Sequence, residues 1–329
     1  MEKERTCLRH LRSIFPVFLV SSVACDPQPL PSDAPASGTP ASAASEYVAE
    51  GVGYLSEGDP DAALRSINEA IRLEPGVPEA YVHRGRAYLK KGQIPEAIAD
   101  LSKVVELDPT NAEAHYELGR AYHKSGQREQ AIDELTLALR AKPDMRSAHV
   151  GLVGIFSQLG RFKEAIKSCD AVIQLDPNDA KAYSERGGFY LRLGHSDRAL
   201  ADWDTTLRLN PQFTEAHFNR GMYRFRKGKY REAIRDLTRA IAIEPNHVPA
   251  HQYMASAHTS LGEHSKAIES YTHIIGVLPN QAEVYLARSQ AYRANGEIEK
   301  ADADYRRAIE LNPKVERHSP ALPREGKNR

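Results

Sequence analysis

A proline recurs at a fixed interval through most of this 329-residue chain. The interval is 34 residues, and without a gap or insertion it joins Pro75, Pro109, Pro143, Pro177, Pro211, Pro245, Pro279 and Pro313. When the chain is divided into 34-residue units from residue 44 onward, each unit also has glycine at its fifteenth position and alanine at its twentieth, as at Gly92 and Ala97. Such strict periodicity argues against two unrelated globular domains and predicts a linear array of similar units.

Eight units of 34 residues cover positions 44–315, and positions within a unit are numbered 1–34 below. The predicted boundaries are 44–77, 78–111, 112–145, 146–179, 180–213, 214–247, 248–281 and 282–315.

Each unit has the pattern of two short helices. In the second unit, Tyr81, Gly85 and Tyr88 follow the i, i+4, i+7 spacing of one helix face. Gly92 then has the place of a left-handed helix stop, and Pro95 opens a second helix. Neither helix can bury its apolar face without a neighbouring unit, so the units must stack.

This pattern resembles the tetratricopeptide repeat family. The residues that carry the resemblance in the third unit are His115, Leu118, Gly119, Tyr122, Ala131, Leu135, Ala138 and Pro143. The resemblance implies an all-α protein, an α-solenoid in which eight helix-turn-helix units form a right-handed superhelix. It also implies that the first helix of each pair lines a concave groove that binds peptides or proteins. Val153, Ala255 and Ser289 replace the glycine at position 8, and we expect looser packing there.

Residues 1–24 have the order of a secretory signal peptide. Basic residues precede an apolar stretch from Ile14 to Ala24, which is shorter than the roughly 20 residues that span a bilayer. The ending Val23-Ala24-Cys25 resembles a bacterial lipobox, although Ser22 stands where that pattern favours leucine. The resemblance implies that Cys25 carries a lipid anchor facing the periplasm. Secretion without a lipid and a cytosolic chain are the alternatives.

The segments that flank the repeats are poor in apolar residues. Residues 25–43 interleave proline with alanine and serine, which predicts a disordered linker after the anchor. Residues 316–329 are basic and lack a helical stripe, which predicts a disordered tail.

Composition argues against several function classes. The 44 Lys and Arg residues equal the 44 Asp and Glu residues, so the chain lacks the basic excess typical of nucleic-acid binding. Three cysteines cannot form a disulfide framework, and the histidines follow the repeat phase rather than the spacing of metal ligands. Only 57 residues lie outside the units, too few for a catalytic domain. We therefore expect a non-enzymatic protein without a cofactor or a metal.

Candidate binding residues lie on the groove side of the first helices, at positions 2, 5, 6, 9, 12 and 13. The second and third units have a basic and aromatic strip there, suited to a partner's carboxylates, which comprises His83, Arg86, Lys90, Tyr116, Arg120 and Lys124. The alternative interpretation is a solvated face, because glutamates are interspersed.

The sixth unit places apolar residues on the same side. Phe218, Met222 and Phe225 follow helical spacing, and Asn219 beside them could hydrogen-bond a peptide backbone. The alternative is that Phe225 turns inward to compensate for Arg224 at position 11. In the units between, the extra glycines Gly151, Gly154 and Gly188 indicate a deepened groove, a bending point that lets the two halves close on a ligand, or drift tolerated in a long array; we favour drift.

These observations predict an adaptor of the cell envelope, tethered to a membrane, that binds peptide or protein partners in its groove. A cytosolic scaffold in a signalling or secretion complex is the alternative. The partner, the choice of inner or outer membrane and the oligomeric state are not specified by the sequence.

Overall fold

A computed structural model describes residues 40–314, which form sixteen α-helices and no strand. The first helices of the units are α1 (Pro40–Glu57), α3 (Pro78–Lys91), α5 (Ala112–Lys124), α7 (Arg146–Gln158), α9 (Ala180–Arg192), α11 (Thr214–Arg226), α13 (Val248–Ser260) and α15 (Ala282–Ala294). The second helices are α2 (Pro60–Leu73), α4 (Ile94–Leu107), α6 (Arg128–Ala141), α8 (Phe162–Leu175), α10 (Ser196–Leu209), α12 (Tyr230–Ile243), α14 (His264–Val277) and α16 (Ile298–Leu311).

The helices stack in chain order, which confirms the predicted all-α solenoid of helix-turn-helix units. Each helix packs on the next, and first helices of successive units also touch. Helix α1 begins at Pro40, four residues before the predicted start of the first unit. Cys25, the predicted leader, the linker up to residue 39 and the predicted tail lie outside the described residues. Between residues 40 and 314, no helix is both long and apolar enough to cross a membrane.

The glycine at position 8 makes room for the side chain at position 24 of the same unit. A Cβ atom added at Gly85 would lie 2.8 Å from Leu101 Cγ, and one added at Gly187 would lie 2.8 Å from Trp203 Nε1. In the units that have this glycine, the first and second helices approach closely because the position lacks a side chain.

The fourth unit reverses this size relation. Val153 replaces glycine at position 8, and the residue opposite, at position 24, is the small Cys169. Both side chains are buried, so this unit compensates for its larger residue instead of packing loosely. In the eighth unit, Ser289 satisfies its hydroxyl by donating to the carbonyl of Ala301 at 2.8 Å.

Arginine and aspartate form a repeated clamp on the side of the first helix opposite the groove. In four units an arginine at position 7 donates two hydrogen bonds to an aspartate at position 23. The pairs are Arg84 with Asp100, Arg186 with Asp202, Arg220 with Asp236, and Arg288 with Asp304. The third guanidinium nitrogen reaches position 25 of the preceding unit, at Asn68, Asp170, Asp204 and Thr272. Each clamp therefore links three helices.

Rings at position 4 connect each unit to the one before it. The Nε2 atoms of His115, His149, His217 and His251 lie 2.9–3.1 Å from the carbonyl of the preceding proline at position 32. Tyr81 donates to the Pro75 carbonyl in the same way, at 3.0 Å. These histidines therefore occupy packing positions between units.

Candidate interaction groove

Of the six predicted groove positions, positions 2, 6, 9 and 13 lie at the centre of the groove side of each first helix. At about 100° per residue these positions fall within about 60° of one another, and they lie opposite positions 4, 7 and 11, which face the second helices. In units four to six, the residues at these positions surround an open cavity of about 1110 Å³.

This groove cavity is lined by side chains from α7, α9 and α11 and by three phenylalanine rings. The residues from the first helices include Gly154, Ser157, Gln158, Lys181, Glu185, Gly188, Arg192, Glu215, Asn219, Met222 and Arg226, and three phenylalanines, Phe162, Phe189 and Phe213, complete this part of the lining.

Two of the extra glycines create the space. A Cβ atom added at Gly154 or Gly188 would meet nothing within 4 Å, because both positions open into the cavity. Gly151 differs, since its added Cβ would lie 3.2 Å from Leu135 Cδ1, so it serves close packing. Our preference for drift is therefore wrong at Gly151, where the glycine has a packing reason, and Gly154 and Gly188 deepen the groove.

The cavity lining combines aromatic and charged side chains. Phe162 and Phe189 stack with their ring centroids 6.0 Å apart. Lys181 Nζ lies 3.7 Å from Glu185 Oε1, and burial raises the pKa of the Glu185 carboxyl, while Lys181 opposes the rise. Arg192 has no hydrogen bond or ion pair with any described residue, so its guanidinium is available to a ligand.

The predicted apolar residues of the sixth unit divide between two environments. Met222 and Asn219 line the groove cavity. Phe218 and Phe225 instead pack against Tyr253 of the next unit, at centroid distances of 5.9 and 5.4 Å. The stripe is therefore partly covered: of its three residues only Met222 lines the cavity, together with the neighbouring Asn219.

The predicted basic strip of units two and three lies outside the cavity, and its charges are engaged within the chain. Arg86 Nε donates to Glu117 Oε1 at 2.8 Å, and Arg120 donates to Glu117 Oε2 at 2.6 Å. The Glu117 side chain is only 3% exposed. Lys90 and Lys124 donate to the backbone carbonyls of residues 55 and 89.

The two rings of that strip are also engaged. Burial lowers the pKa of His83, and the nearby positive charge of Arg86 lowers it further. Tyr116 is half-buried and lies under the Arg120 guanidinium, 5.7 Å from ring centroid to Cζ. The side chains of the strip are therefore engaged within the chain, with Arg86 and Arg120 paired to carboxylates and the two lysines bonded to backbone carbonyls.

Several cavity residues were not predicted from the sequence. Phe162, Phe189 and Phe213 lie outside the groove positions, and no sequence signal distinguishes them from core rings. Lys181 and Arg192 occupy positions 2 and 13 of the fifth unit, so the repeat phase could have identified them.

Sequence profiles of the tetratricopeptide repeat match the chain along nearly all of the described array. Together they cover residues 54–315, with individual matches at 54–101, 85–126, 116–180, 168–201, 190–249, 224–291 and 282–315. The described array consists of tetratricopeptide repeats. Arrays of this fold are typically non-enzymatic scaffolds for protein interaction. No curated protein matches the chain.

Solved structures of tetratricopeptide repeat proteins are similar to parts of this array. YrrB, described as "a TPR protein with an unusual peptide-binding site", is 25% identical with a TM-score of 0.51, over 56% of this chain and 95% of YrrB. MamA is 26% identical with a TM-score of 0.47, over 54% of this chain and 97% of MamA. A repeat protein from Parabacteroides merdae is 19% identical with a TM-score of 0.48, over 84% of this chain and 97% of its own.

Proposed function

We propose that this protein is a binding adaptor that holds a segment of a partner protein in the groove cavity of units four to six. The observation that carries the proposal is the open space above Gly154 and Gly188, where two successive first helices lack side chains. A cavity of about 1110 Å³ accommodates several residues of an extended peptide. YrrB, with its described peptide-binding site, supports this role by similarity.

The cavity wall suits a segment with at least one large apolar side chain. Phe162, Phe189 and Met222 provide an apolar contact surface, and the Asn219 amide can bond a peptide backbone group. Lys181 and Arg192 lie at the same wall and favour a carboxylate near the apolar residue.

Filling the cavity tests the site. We expect Gly188→Leu to weaken binding of peptides selected from a random displayed library against the wild-type protein, by about tenfold or more, because the leucine occupies the ligand's space. Gly276→Leu is the control, since Gly276 is also helical and its added Cβ likewise meets nothing, while it lies exposed on α14, outside the groove cavity. Fluorescence anisotropy gives the Kd of each pair. Selected peptides that bind the Gly188 variant as tightly as the control would refute the groove as the binding site.

We also propose that the array is tethered to the cell envelope through a lipid on Cys25, facing the periplasm. The signal-like order of residues 1–24 and the cysteine that follows them support this location. Intact-mass analysis after expression with the native leader in a Gram-negative host tests it, and a lipid-modified Cys25 at the amino terminus is expected. A cleaved but unmodified Cys25 contradicts the anchor. A retained Met1, in a host that processes its own lipoproteins, favours the alternative of a cytosolic scaffold.

A further inference from the structure

A second cleft lies on the opposite side of α11 from the groove. It has a volume of about 550 Å³ and is lined by Leu207, Pro211, Gln212, His217, Arg220, Arg239, Ala242 and Ile243. Helix α10 packs on α11 less extensively than α8 packs on α9, and the cleft occupies the space between α10 and α12. Its walls are mainly apolar, and Arg239 stands at its rim. We call this feature the α12 cleft.

Three arginines lead away from the α12 cleft along the exposed face of α12. Arg231, Arg235 and Arg239 follow the i, i+4, i+8 spacing, and all three are exposed. None of them makes a hydrogen bond or ion pair with any residue between 40 and 314. Like charges four residues apart destabilise a helix, so this arginine row has a cost within the chain. No other unit places three cations at positions 18, 22 and 26.

Four of the five carboxylates on α10 and α12 are engaged by other arginines, Asp202 among them through Arg186. On α12, Asp236 accepts from Arg220 and Arg224, and Glu232 lies 3.5 Å from Arg224. On α10, Asp204 accepts from Arg220 at 2.5 Å. Asp197, in the first turn of α10, is exposed and makes no hydrogen bond or ion pair. No carboxylate of α10 or α12 pairs with the arginine row in the described chain.

We propose that this surface docks an acidic segment of a partner protein, with one apolar side chain in the α12 cleft and carboxylates on the arginine row. Successive arginines of the row are about 6 Å apart along α12, at 1.5 Å per residue. An extended peptide advances about 6.6 Å for every two residues. The spacing therefore fits a segment in which acidic residues alternate with others after an apolar anchor.

A lipid surface is the competing ligand for a row of arginines. It fits less well, because a bilayer does not insert an apolar group into a recessed cleft that lies beside the charges. The cleft and the row lie within one binding footprint, which a polypeptide can occupy in a single extended conformation.

The probe is a fluorescein-labelled peptide with one leucine followed by glutamates at alternate positions. We expect it to bind the full chain, more weakly as salt rises. Replacing all three arginines (R231Q, R235Q and R239Q together) should raise the Kd about tenfold. The control is K163Q with K167Q on α8, at two of the same repeat positions, where both lysines are exposed. This control should leave the Kd unchanged.

A second variant tests the cleft itself. Ala242 is exposed at its lining, so A242W fills the space without disturbing the core and should raise the Kd several-fold. Replacing the leucine of the peptide with serine should have the same effect on the wild-type protein. Gly188→Leu in the groove should leave this Kd unchanged, which separates this proposal from that of the groove cavity.

The proposal is overturned if the peptide does not bind, or if the arginine variant and the α8 control bind it equally. It is also overturned if A242W binds as the wild type does, because the cleft then contributes nothing. Sedimentation with phosphatidylserine vesicles, lost in the arginine variant, together with no peptide binding, would assign the row to a lipid surface instead.

Discussion

Replacing Asp202 with serine removes the carboxylate that receives two hydrogen bonds from Arg186, at 2.9 and 2.7 Å. The Arg186 and Asp202 side chains are 18% and 8% exposed, so the pair lies largely outside water. Breaking a buried ion pair costs about 3–5 kcal/mol, since the remaining charge is left unpaired. Arg186 keeps its contact with Asp170 and some solvent, so we expect a loss of about 3 kcal/mol in the free energy of unfolding.

The chain itself contains the compensating pair. In the fourth unit, Leu152 and Ser168 occupy positions 7 and 23, where the fifth unit has Arg186 and Asp202. The double variant Arg186→Leu with Asp202→Ser copies that pair and leaves no buried charge. We therefore expect it to recover more than half of the stability that Asp202→Ser alone loses.

Trp203 provides the assay, because it is the only tryptophan, is fully buried and adjoins Asp202. Its fluorescence during urea unfolding reports on the fifth unit. Asp170→Asn is the control, since the Asp170 side chain is 41% exposed and the same arginine contact should contribute below about 1 kcal/mol. Equal losses for the two single variants, or a double variant less stable than Asp202→Ser, would refute the reasoning.

Three further outcomes follow from the structure. Gly85→Ala should lower the free energy of unfolding by about 1–3 kcal/mol in urea denaturation, because the new Cβ would lie 2.8 Å from Leu101; unchanged stability would contradict the close approach. Gly188→Ala should instead raise it by about 0.5–1 kcal/mol, since the methyl group meets nothing, and a loss would show that the backbone requires glycine there. Burial lowers the pKa of His251, so protonation of the unfolded chain below about pH 6.5 costs stability as the pH falls. His251→Tyr should therefore reduce the difference between urea midpoints at pH 7 and pH 5, and an unchanged difference would assign that loss to other groups.

The fold could be predicted almost entirely from local signals. Proline, glycine and alanine at fixed positions specify where helices start, stop and approach, and all of these requirements act within one unit. At Gly92 the backbone has a positive φ of 75°, the conformation that the position-15 glycine predicts. Periodicity alone therefore locates the helices and the groove side.

The candidate site could be predicted only in part, because its properties depend on contacts between units. In the sequence, Glu117 is not distinguished from the other glutamates. In the structure it is buried and accepts from Arg86 on α3 and Arg120 on α5. This pairing removes two arginines of the basic strip from a partner's reach. It could be predicted only by knowing how successive units stack. The depth of the groove cavity likewise comes from Gly154 and Gly188, which line it from two successive first helices and are one full unit apart in the sequence.

The arginine clamps divide the array into blocks that should exchange their amide protons together. Their contacts to position 25 join the first unit to the second, the fourth to the fifth, the fifth to the sixth, and the seventh to the eighth. In the described chain, no clamp joins the second unit to the third, where the buried Glu117 accepts from Arg86 instead, and none joins the third unit to the fourth or the sixth to the seventh. Transient opening should therefore begin at the latter two junctions, while units four to six open as one body. That body contains the whole groove cavity, so a ligand would meet a site whose ordering entropy has already been lost during folding.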